Sequence, residues 1–136
     1  MIEAVNRQRK KKIDTKAWEK FAVRAAEAIG SPESSATIAF VSDRTIRELN
    51  RKFRGLDKPT DVLSFPAEEA DGTNLGDIAI SVETAATQAK ENGLTFNVEV
   101  SQLILHGLLH LSGYDHEADN GEMNRLELRL RKKLNI

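Results

Sequence analysis

Leu103-Ile104-Leu105-His106-Gly107-Leu108-Leu109-His110-Leu111-Ser112-Gly113-Tyr114-Asp115-His116 holds all three histidines of the chain. With Val98 and Val100 just before it, the stretch is apolar nearly all round a helix, which places that helix inside a domain and not on its surface. It is too short, and too interrupted by histidine, to cross a membrane. His106 and His110 stand four positions apart and therefore share one helical face, about one turn from each other. Gly113 supplies the left-handed or sharply turned backbone that a Cβ resists. Beyond that turn the chain can double back and carry His116 toward the first two histidines. Three neutral imidazoles on one point, with a fourth position for water, make a catalytic zinc site.

The spacing H-x-x-x-H-x-x-G-x-x-H resembles the metzincin protease signature except at one position, where Gly107 replaces the glutamate that serves as general base. Without that carboxylate nothing in the motif deprotonates a metal-activated water for peptide hydrolysis. The motif thus predicts the metal geometry without the peptidase chemistry. The competing reading makes His106 and His110 satisfied core histidines beside Leu105, Leu108 and Leu109. Three histidines at ligand spacing with a glycine at the bend favour the metal.

Working outward, 136 residues suit a single domain spanning 1–136. Hydrophobic content of 40% and charged content of 30% are ordinary for a soluble globular protein. The absence of cysteine excludes disulfides and thiolate ligands. No signal-peptide core or membrane-spanning run is evident, so a cytoplasmic protein without membrane partners is expected. The net charge of −1 gives no overall pull toward nucleic acid. Basic residues nonetheless cluster at Arg7 to Lys12, at Arg44 to Lys58 and at Arg125 to Lys133, either as solvated faces or as a footprint for a polyanion.

A short strand is expected at 2 to about 6, then a helix from an Asp14 cap through Ile29, closed by Gly30. A strand follows over 36–41, and a helix capped by Ser42 or Asp43 with Ile46, Leu49 and Phe53 on one side. Arg54 then lies on a glycine-flanked loop. Strands at 62–65 and 76–81 are joined by a polar turn and should pair antiparallel. Ser81 caps a helix with Val82, Ala85, Ala86 and Ala89 inward, and Phe96 or Asn97 opens the histidine helix. Asp119 or Asn120 begins a last helix whose buried stripe is Met123, Leu126, Leu130 and Leu134. The order β-α-β-α-β-β-α-α-α predicts an α+β domain, a small mixed sheet of about four strands covered by helices, with the histidine helix buried.

Two stretches, Thr60-Asp61-Val62-Leu63-Ser64-Phe65-Pro66 and His106-Gly-x-Leu-His110-Leu-x-Gly113-Tyr114-Asp115-His116, resemble the signatures of the YbeY family, bacterial metal-dependent endoribonucleases of ribosomal RNA maturation. Gly76-Asp77-Ile-x-Ile-Ser81 also fits, and the resemblance runs from about residue 36 onward. It implies zinc (one Zn2+ ion) held by His106, His110 and His116, with Arg54 and His106 as catalytic residues. It further implies cleavage of single-stranded RNA in 16S 3′ end maturation and ribosome quality control. RNA, ribosomal proteins and GTPases are the implied partners.

The residues support this chemistry in their own right. Zinc polarises a phosphate or lowers the pKa of bound water from about 15.7 to about 7. A guanidinium grips phosphate oxygens as a fork. Arg54 is suited to that contact, or else pairs with Asp57 or Asp61. Asp61 and Asp77 are candidate acceptors for a ligand imidazole, or plain turn caps. Asp115 either orients His116 or stabilises the bend. Tyr114 either touches RNA or packs on the last helix, and Met123 lies under the metal or simply in the core. Two other classes remain open: a zinc hydrolase of peptides or small molecules, and a ribosome-associated factor with structural zinc.

Overall fold

In the computed structural model, which describes residues 1–68, 73–114 and 120–136, four strands form one sheet in the order β1-β2-β4-β3. These are β1 (Ile2–Asn6), β2 (Ser35–Val41), β3 (Val62–Pro66) and β4 (Asn74–Ser81). β1 and β4 both run parallel to β2, while β3 pairs antiparallel with β4, as its closeness in sequence predicts. Five helices complete the described residues: α1 (Thr15–Ile29), α2 (Asp43–Arg54), α3 (Val82–Glu91), α4 (Phe96–Leu111) and α5 (Glu122–Leu134). This is the expected α+β domain with a four-stranded mixed sheet. Among the described residues no helix is long and apolar enough to cross a membrane.

Alternation along the strands sorts the helices onto the two faces of the sheet. Ala36, Ile38 and Phe40 of β2 and Ile78 and Ile80 of β4 point to one face, where Trp18 and Phe21 of α1 and Ile104 and Leu108 of α4 complete the main core. Ala79, Val41 and Leu63 point to the other, where they meet Ile46 of α2. β4 begins earlier than its apolar run suggests, because an irregularity places Ala36 opposite Gly76 while Ser35 is opposite Asn74. Gly76 sits at φ +127, and a Cβ there would collide with the backbone of Phe65 and Ala67, so no other residue fits.

Caps mark most of the helix ends. Asp14 accepts from Ala17 N (3.1 Å), Ser42 from Thr45 N (3.3 Å) and Ser81 from Thr84 N (3.2 Å). Two expectations shift. Phe53 is 58% exposed and meets Phe65 of β3 edge-on at 5.1 Å, so it lies over the sheet's rim and not in the core. Asn50 is buried in its place, donating to the Lys58 carbonyl at 2.9 Å and tethering the loop that follows. α5 starts at Glu122, not at Asn120, because Gly121 takes a left-handed φ of 95 and Asn120 N donates back to Glu122 Oε2 at 2.6 Å. Asp119, the other expected start, lies outside the described residues, as does most of the polar turn between β3 and β4.

Candidate active site

α4 carries the site because it is pressed against the sheet. Thr95 caps it, accepting from Val98 N at 3.1 Å. Val100, Ile104, Leu105, Leu108 and Leu109 are fully buried around it. Gly107 brings the helix close to β4: a Cβ at this position would stand 2.8 Å from Ile78 Cδ1 and 3.1 Å from Cγ1. The position where metzincins place their base therefore faces the core, not the histidines. Packing excludes a glutamate there.

His106 and His110 share the neighbouring, partly exposed face of the helix, with ring centroids 4.7 Å apart and planes at 75°. The helix closes just beyond them. Gly113, at φ +101, donates to the His110 carbonyl at 3.1 Å, and Tyr114 N donates to the Leu109 carbonyl at 3.1 Å. This paired arrangement terminates the helix and turns the chain. Tyr114 packs half-buried on the core and Met123 is fully buried within it. His116 and Asp115 lie outside the described residues. Among the described residues no group of three potential metal ligands is present.

A residue absent from the sequence reading completes the geometry. His106 Nδ1 lies 2.7 Å from Glu127 Oε1, and Arg131 Nη2 donates to Glu127 Oε2 at 2.7 Å. Burial alone would push the Glu127 carboxyl up, but its hydrogen bonds to His106 and Arg131, with the Arg131 charge, outweigh that and hold it below the usual carboxylate range. One signal was available. Glu127 falls four residues after Met123 and three before Leu130, a carboxylate at the spacing of the buried stripe.

Of the two readings open for Asp61 and Asp77, imidazole acceptor or turn cap, Asp61 takes the second. Asp61 accepts from Val62 N (2.8 Å) and Thr60 Oγ1 (3.3 Å), the local turn role. Asp77 is exposed on the α2 side of the sheet, in a recess with Thr37, Ala39 and Phe65, across the sheet from α4. Arg54 is not on the loop, as expected, but is the last residue of α2, exposed, because the helix continues to its left-handed cap at Gly55. Asp57 is taken by Arg47, whose Nε and Nη2 donate to its two oxygens at 2.8 and 3.2 Å. That hydrogen bond and charge hold the Asp57 carboxyl below its ordinary value. Beside His106 opens a cavity of about 590 Å³ lined also by Asp61, Asn92, Glu99, Gln102 and Arg131. The described residues lining it do not include Arg54, although the loop that Arg54 enters ends at its wall, at Asp61 and Val62.

Residues 3–135 match the model of a protein family described as Endoribonuclease YbeY. The chain belongs to the YbeY family. It is 52% identical over 99 residues to an Endoribonuclease YbeY of Nautilia profundicola, covering 73% of this chain and 71% of that one. With the Endoribonuclease YbeY of Geobacter metallireducens it shares 38% identity over 137 residues, 96% of this chain and 91% of that one. The solution structure of TM1509 from Thermotoga maritima superimposes with a TM-score of 0.69 at 31% identity, covering 98% of this chain and 89% of that one. The YbeY match thus reaches upstream of residue 36, into β1 and α1, where no signature motif exists. Those elements enter through core packing: Ile2, Ala4, Trp18 and Phe21 belong to the main core.

Proposed function

We propose that this chain is a zinc-dependent endoribonuclease that cleaves single-stranded RNA, acting in the cytoplasm on ribosomal RNA, in maturation of the small-subunit RNA's 3′ end and in ribosome quality control. The observation that carries the reading is the His106–His110 pair on one face of α4, with the far nitrogen of His106 held by Glu127. The donor set fits zinc: imidazoles at i and i+4, one of them oriented by a carboxylate. His106, His110 and His116 would hold the ion, which when bound supplies Lewis-acid polarisation of a phosphate and activation of water.

The chain's own residues do the rest. Asp61, Glu99 and Glu127 face the cavity against Arg131, an acidic wall that repels a polyanion unless a cation is held there. Gln102 and Asn92 offer amide groups to a nucleotide entering beside His106. Arg54, exposed at the end of α2, is assigned the phosphate contact, its guanidinium forking onto nonbridging oxygens. Few aromatics are present, 5% of residues, so backbone contacts and weak sequence preference follow. Ribosomal proteins or GTPases are the partners assigned to this setting.

The test is digestion of a single-stranded RNA by zinc-loaded and chelated protein, with circular dichroism recorded in parallel. Chelation is expected to stop cleavage and leave the helical signal in place, because α4 is buried by Leu105, Leu108 and Leu109 without any ion. Unfolding on chelation would instead make the zinc structural. Cleavage by metal-free protein would remove zinc from the reaction.

A further inference from the structure

We infer that Glu127, clamped by Arg131, is the positioning residue that fixes the ring and tautomer of His106, so that α5 helps to set the metal affinity of a site otherwise carried by α4 and the turn after it. The consequence for affinity rests on the zinc reading above; the positioning itself does not.

The case starts from burial. The Glu127 side chain is 8% exposed, on a helix face anchored by Met123 and Leu130, both buried. A carboxylate in such a place is costly unless donors satisfy it. Two do: Arg131 at 2.7 Å on one oxygen and His106 at 2.7 Å on the other. An ionised carboxylate only accepts, so the imidazole atom facing it is an N–H. Nδ1 therefore carries a proton, and in the neutral ring this leaves Nε2 as the lone-pair nitrogen that a metal requires. The same bond stops the ring from turning about its side-chain torsions, holding it at 75° to the His110 ring. Arg131 acts one step further back. Its fixed pairing with Oε2 keeps Oε1 directed at His106. A merely structural ion pair would contribute to folding and leave the imidazole indifferent.

Two variants separate these roles, E127L and E127Q, each compared with wild type in three measurements. These are zinc affinity by competition with a chromophoric chelator, the nitrogen-15 imidazole spectrum of the metal-free protein, and the thermal melt. Wild type should show His106 in the Nδ1–H form. E127L should lose that form and bind zinc about 10–100-fold more weakly, the usual cost of removing such a partner. E127Q keeps an acceptor oxygen and should restore the Nδ1–H form and most of the affinity. E127L with zinc affinity within about twofold of wild type, or with an unchanged His106 spectrum, overturns the proposal. If the melt shows E127L unfolded, R131M takes its place. A smaller loss in the same direction supports the clamp, and wild-type affinity and spectrum in R131M overturn it. Wild-type protein that binds no zinc sinks the metal reading instead, and the metal-free spectra still decide the positioning role.

Discussion

His110→Ala is expected to lower RNA cleavage on the order of a thousandfold or more, because a metal's Lewis-acid contribution amounts to several kcal/mol and each 1.36 kcal/mol is about tenfold in rate. The fold should be little affected. His110 is only partly buried, and its backbone carbonyl, which ends the helix by accepting from Gly113 N, does so whatever the side chain. A melting temperature within about 4 °C of wild type is the expected companion result. His106→Ala would be a poorer choice, since it leaves the buried Glu127 carboxylate without one of its two donors and mixes instability with lost chemistry. Turnover of a single-stranded RNA oligonucleotide by H110A, measured beside its melt, checks the prediction. Undiminished turnover in a folded H110A would contradict it.

Gly107 gives the second large effect, this time on stability. Replacing glycine by alanine inside a helix ordinarily stabilises it by roughly 0.5–1 kcal/mol. Here the added Cβ meets three side-chain carbons of Ile78, at 2.8, 3.1 and 3.2 Å. Ile78 is 1% exposed and branched at Cβ, so it cannot rotate out of the way. Overpacking of this kind costs about 1–3 kcal/mol, which exceeds the helical gain, and G107A should melt below wild type. G107E should fail to fold, since it adds a charge to the same crowded place. Denaturant melts of both variants test this. A G107A protein more stable than wild type would show that α4 and β4 have room to part.

The glycine also shows how far sequence alone reaches. Its departure from the metzincin pattern was visible at once, but its cause lies in Ile78 on another element, and such contacts follow only from the packed fold. The helices were legible for local reasons: Asp14, Ser42 and Ser81 are caps whose partners lie three residues away. The sheet order β1-β2-β4-β3 was not, because parallel neighbours are set by crossovers between distant segments. Glu127 was missed for a related reason. In sequence it stands among Arg125, Arg129 and Arg131, a cluster that looks like a solvated basic face, whereas helical spacing turns Glu127 inward and takes Arg131 with it. Asp61 and Asp77 drew attention by sitting in motifs, yet one caps a turn and the other faces across the sheet.

An anomalous difference map collected at the zinc edge from zinc-soaked crystals tests the central claim most directly. One peak is predicted, about 2.0–2.1 Å from a ring nitrogen of each of His106, His110 and His116, with Nε2 the liganding atom of His106. Fully occupied zinc elsewhere, or well-ordered histidine rings with no peak between them, would contradict it.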